Sequence, residues 1–139
     1  MTRTLVSIAR GIALCAAAAS AVAQPAPAAS APAANPIAYP SVARALSALE
    51  AEDGKTTVVT HPDGWVVVNE PAAAAQWSFT PPGYYAYPAV VRRIIRRGPN
   101  KAVAVETASL CEAPADSCER LLKEFATMND RITQATKGR

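Results

Sequence analysis

Apolar positions recur along the chain with two periods. Val42, Leu46 and Leu49 fall on one face of a helix predicted over residues 41–52, with Ser41 able to cap its start and Gly54 to stop it. Valine-rich runs at 55–60 and 65–70 flank His61-Pro62-Asp63-Gly64, and Asp-Gly between β-branched runs predicts a hairpin. Residues 77–80 read as a third, short strand, halted by Pro81-Pro82-Gly83. The run 90–97 can be read two ways. On a helix, its four apolar residues lie on one side and its four arginines on the other, between Pro88 and Gly98. Yet every apolar residue in it is β-branched, and the chain turns at Gly98-Pro99-Asn100 into 101–107, where Val103 and Val105 alternate with alanines. That is the pattern of a hairpin, and strand is the preferred reading.

The last element is a helix. Asp116 and Glu119 have capping-box spacing with Pro114 just outside, and Cys118, Leu121, Leu122, Phe125, Met128 and Ile132 repeat on one face. The predicted class is α+β: an antiparallel sheet of about five strands with an N-terminal and a C-terminal helix.

Composition adds an address. The chain has 139 residues, room for one domain, and no apolar run reaches the roughly 18 residues of a membrane span. Residues 1–23 have the three parts of a secretory signal peptide: Arg3 and Arg10, a short apolar stretch, and Ala21-Val22-Ala23 as a small-x-small cleavage site before Gln24. Cys15 lies within the apolar stretch and follows Leu14, not the small residue that lipid attachment wants. Residues 24–36 hold six alanines and four prolines and read as a disordered linker. A single domain is expected over 37–139, in the periplasm or secreted. Cleavage after Ala23 would leave 12 basic against 11 acidic residues, so no global charge argues for nucleic acid or any other anionic partner.

Export also assigns the cysteines. Cys111 and Cys118 are the pair left after cleavage, and in an oxidising compartment they read as a disulfide. With Cys111 closing a strand and Cys118 on the buried side of a first helical turn, the bond would pin sheet to helix. Two thiolates with only His61 as a nitrogen donor fall short of a zinc site, and no metal or cofactor is expected.

Catalytic parts are scarce. His61 stands in a turn and reads as solvated; the sequence has no nucleophile elbow, zinc-protease motif, phosphate loop or dinucleotide fingerprint. A non-catalytic protein is expected, with a hydrolase of unrecognised site as the remaining enzymatic reading. Two surface features could bind a partner. Trp77, Phe79, Tyr84, Tyr85 and Tyr87, five of the eight aromatics, crowd among prolines and suit an envelope protein or glycan. The competing reading makes Trp77 and Phe79 core, with the tyrosines over a sheet edge. Arg92, Arg93, Arg96, Arg97 and Lys101 gather five positive charges within ten residues and suit anionic lipid or lipopolysaccharide. If that segment is a strand, two arginines fall on each face and protect an edge or are merely solvated.

The runs Trp77-Ser78-Phe79-Thr80-Pro81, Ala86-Tyr87-Pro88-Ala89-Val90-Val91-Arg92-Arg93 and Leu110-Cys111-Glu112-Ala113, followed by Cys118, resemble a group of small uncharacterised exported proteins of Gram-negative bacteria. The likeness covers roughly residues 40–132. It implies a periplasmic location and the hairpin reading of 90–107, and brings no activity. Members often carry a histidine where this chain has Tyr84 or Tyr85, so the resemblance implies no shared histidine site here.

Overall fold

The computed structural model describes residues 37–137. The expected signal peptide at 1–23 and linker at 24–36 lie outside the described residues. The elements run α1 (Val42–Glu50), β1 (Thr57–Thr60), β2 (Val66–Glu70), β3 (Ala75–Phe79), β4 (Ala89–Arg97), β5 (Val103–Cys111) and α2 (Ala115–Lys137). The strands form one antiparallel sheet in the order β1-β2-β3-β4-β5, so each pairs with its neighbour in the sequence. The α+β architecture with two terminal helices is as the periodicity predicts, and 89–97 is a strand.

Alternation divides the sheet into two faces, each covered by one helix. Val68, Trp77, Phe79 and Val90 point to the first face, where Val42, Ala45 and Leu49 of α1 pack on them together with Ile37. Two caps hold α1 there. The Ser41 hydroxyl accepts the Arg44 N–H at 3.2 Å, and the Glu112 carboxylate accepts the Val42 N–H at 2.9 Å from seventy residues away. An acid at a helix N-terminus is favourable, and this one also ties α1 to the end of β5.

Ala89 and Val91 point to the second face and meet Leu121 and Phe125 of α2. The Cys111–Cys118 disulfide spans 6.0 Å between Cα atoms and joins the end of β5 to the first turn of α2. The helix starts at Ala115, so Asp116 lies inside the first turn instead of capping it from outside. Its buried stripe is also narrower than predicted: Leu121, Phe125 and Asn129 are buried, while Leu122 and Met128 are exposed. Asn129 takes the third seam position because a polar neighbour waits there, its amide donating to the Thr107 hydroxyl at 2.8 Å.

Two other strands depart from the sequence expectation. β3 begins two residues early, at Ala75, because pairing with Glu70 and Ile94 outweighs alanine's low strand propensity. β5 starts late and runs on to Cys111, because Lys101 is a left-handed turn residue (φ 61°) and not the first residue of the strand.

Candidate functional site

The nine residues between β3 and β4 form a loop fastened at both ends. Thr80 closes it: its N–H donates to the Ala89 carbonyl at 3.0 Å, and its hydroxyl accepts the Ala89 N–H at 2.9 Å. Inside, the Tyr84 N–H reaches the Pro81 carbonyl (3.1 Å) and the Tyr87 N–H the Tyr84 carbonyl (3.0 Å). The β1–β2 turn leans on this loop through Gly64. A Cβ there would stand 3.0 Å from the Pro81 Cβ, and its φ of 86° independently favours glycine.

This arrangement lays a chain of rings against α2. Trp65 meets Tyr84 edge-on with centroids 5.1 Å apart and Phe125 at 6.3 Å, and Tyr84 meets Tyr85 at 4.5 Å. Arg120 lies over the Tyr85 ring at 4.2 Å, and Arg93 over Phe125 at 5.3 Å. The Tyr84 hydroxyl donates to Glu124 at 3.0 Å, and Arg120 pairs with the other oxygen of the same carboxylate at 3.2 Å. The Tyr85 and Tyr84 hydroxyls, with Arg120, hold Glu124 below the ordinary carboxylate range. Burial pushes both phenols up.

Between these rings and the uncovered part of the sheet lies a cleft of about 300 Å³, lined by His61, Asp63, Trp65, Val67, Ser78, Tyr84, Arg93, Glu124, Phe125 and Met128. α2 packs on β5 and on Ala89 and Val91 of β4. Arg93 is the unusual group in the cleft. Its guanidinium is half-buried, donating to the Gln76 amide oxygen and, at 3.1 Å, to the Met128 thioether sulfur. Among the described residues no carboxylate pairs with it, and burial pulls its pKa below the ordinary arginine range. It remains a cation at neutral pH. A thioether is a weak acceptor, so an entering oxygen anion would replace Met128 at a gain.

The cleft also contains Ser78, His61 and Asp63, but they do not form a hydrolytic relay. No hydrogen bond joins Ser78 to His61 among the described residues, Ser78 is only 5% exposed, and the Asp63 carboxylate accepts the Trp65 N–H at 3.4 Å. No group of three or more His, Cys, Asp or Glu gathers among the described residues in a way that could hold a metal.

The expected five-aromatic surface is corrected by the strand alternation. Trp77 and Phe79 are 4% and 3% exposed on the α1 face, where Trp77 donates to Glu70 at 3.2 Å and contacts Tyr39. Tyr84 and Tyr85 lie half-buried on the opposite face, and Tyr87 is 47% exposed. The basic cluster is dispersed for the same reason. Arg92 and Arg96 point to the α1 side, Arg92 over the Trp77 ring at 5.2 Å and Arg96 paired with Glu106 at 2.5 Å. Arg93 and Arg97 point to the other side, and Lys101 lies in the exposed β4–β5 turn. Sequence reasoning missed Trp65, Phe125 and Glu124 as site residues because each fits its own strand or helix. Their meeting depends on a loop path that no local pattern encodes.

Comparison with family models, curated proteins and solved structures finds no match.

Proposed function

We propose that this chain is a non-catalytic binding protein of the cell envelope, exported and trimmed after Ala23, whose contact site is the aromatic cleft beneath α2. The group that enters is an aromatic or branched apolar body carrying an anionic oxygen, either free or borne by an envelope partner. One observation carries this reading: a half-buried guanidinium without a carboxylate partner among the described residues, at the floor of a cleft walled by Trp65, Tyr84 and Phe125. Rings supply area and the cation supplies orientation, the usual division of labour in a small-ligand site. The disulfide and the resemblance to exported proteins support the location, and among the described residues no helix is long and apolar enough to cross a membrane.

Phenylacetate and phenylacetamide test it. In NMR titrations of the oxidised protein, phenylacetate should shift the Trp65 indole and Met128 methyl resonances, and the uncharged amide should bind at least about tenfold more weakly. Arg93→Gln should erase that difference. If neither compound moves a cleft resonance, the reading fails.

The alternative, a binder of anionic lipid or lipopolysaccharide through the basic cluster, rests on Arg97 and Lys101 at the exposed end of the β4–β5 hairpin. Salt-sensitive liposome binding that Arg97→Gln with Lys101→Gln abolishes would favour it.

A further inference from the structure

The two edges of the sheet are guarded very differently. β1 is four residues long and ends two residues before Pro62. β5 is nine residues long, contains no proline, lysine or arginine, and keeps an unbroken register from Ala89↔Cys111 to Arg97↔Val103. Its one charge, Glu106, is held by Arg96 of the neighbouring strand. Short length, charge, proline and bulges are the usual ways of blocking an edge, and β5 uses none of them outwardly.

The direction of its backbone follows from two hydrogen bonds. Gly98 N–H donates to the Ala102 carbonyl at 2.8 Å, and Glu112 N–H to the Pro88 carbonyl at 3.0 Å; both extend the β4–β5 register. Hydrogen-bonded pairs alternate along an antiparallel ladder, so positions 104, 106, 108 and 110 turn their backbone groups toward β4. Val105, Thr107 and Ser109 turn theirs outward, where the sheet has no further strand among the described residues.

We propose that this edge pairs with the same edge of a second copy, about a two-fold axis at Thr107. In that register Thr107 faces Thr107 and Val105 faces Ser109, so every outward donor meets an outward acceptor. Glu106 falls opposite Ala108, with no like-charge contact. Moving the axis by one residue, to Glu106, slips the pairing by two and still matches outward backbone groups, but sets Glu106 against Glu106, while a slip of one pairs outward with inward groups. The strand is therefore self-complementary in one phase and self-repelling in the next. Beside it, β5 and α2 border a groove of about 760 Å³ whose helical wall includes the exposed Leu122 and Ala126. The second copy covers that apolar flank. It also brings a second Thr107 hydroxyl toward Asn129, whose carbonyl oxygen is buried without a hydrogen-bond partner.

Analytical ultracentrifugation and amide exchange of the oxidised protein test the pairing together. The expected result is a mass that doubles with concentration, while the Val105, Thr107 and Ser109 amides become protected in step. Thr107→Pro removes an N–H unused within the chain and should weaken association at least about tenfold. If that variant does not fold, Ser109→Lys and the wild-type exchange data decide. A monomeric mass at every concentration overturns the proposal, whether the three amides exchange freely or are protected by another segment of the chain. A dimer in which those amides stay unprotected overturns it as well.

Discussion

The two faces of the sheet contrast in how completely they are closed. On the α1 face, Leu49, Val68, Trp77, Phe79 and Val90 are all buried, and two caps fix the helix that covers them. On the α2 face the buried apolar set is smaller. Polar groups intervene at Ser78, Arg93 and Asn129, and the aromatic contacts are half-exposed rings joined to charged tips. The first face contributes most of the fold's apolar burial. The second uses part of its area to keep a cleft open, and loses stability there because polar groups at a buried face need partners to offset their desolvation. A small domain can tolerate this because its other face is closed and a disulfide anchors the looser helix.

Truncating each face tests that contrast most strongly. Phe79→Ala should cost about 3–5 kcal/mol in denaturant unfolding, the range for a buried aromatic, while Tyr84→Phe, which removes only the bond to Glu124, should cost about 1 kcal/mol or less. Equal losses would mean that the α2 face is as much a core as the α1 face. Next in size is the disulfide. Replacing Cys111 and Cys118 together by serine should cost about 2 kcal/mol by loop closure. Amide exchange should then quicken in the first turns of α2 and leave α1 unchanged. Uniform acceleration over both helices would show that the bond stabilises the whole domain rather than its looser side.

Much of this was legible in the sequence, and the limit of legibility follows the same division. The α1 face was readable because Val42, Leu46 and Leu49 keep helical spacing and the strands that meet them keep strict alternation. The hairpin at 61–64 and the Cys111–Cys118 bond were equally plain, each being encoded within a few residues. The cleft was not. Its walls come from 65, 84, 93 and 125, and their convergence depends on Thr80 folding the loop back and on Gly64 resting against Pro81. Clustering along the chain misled in the other direction: adjacent arginines were sent to opposite faces by the strand period, and the loop between β3 and β4 carried Tyr84 and Tyr85 away from the face that buries Trp77 and Phe79. Glu112 as a cap for α1 could not have been read at all, since capping is recognised locally and this cap is seventy residues distant.

Gly64→Ala probes the cleft's support with a smaller effect. The substitution must accept a positive φ and a 3.0 Å approach to Pro81, and should cost about 1–2 kcal/mol while loosening the Trp65–Tyr84 contact. Aromatic ring shifts that stay at wild-type values would show that the turn does not position the cleft.

The mildest test uses pH, and its sign is fixed by Glu124. Its carboxyl is held below the ordinary value of 4.5 in the folded protein, first by the Tyr85 hydroxyl and then by Tyr84 and Arg120. A depressed folded value means that the unfolded chain binds the proton more readily. The stabilisation is therefore full above the ordinary carboxylate range and lost as pH falls through the lowered value. Because Glu124 and Arg120 are exposed and screened by water, the loss is small and local. Acidification from pH 6 to about pH 3 should shift the Tyr84 and Tyr85 ring resonances before any α1 resonance moves, and Glu124→Gln should abolish that early step while leaving later acid unfolding in place. An unchanged early step in Glu124→Gln would mean that a different carboxyl controls this face, with Asp63 at the cleft's other wall the next group to replace.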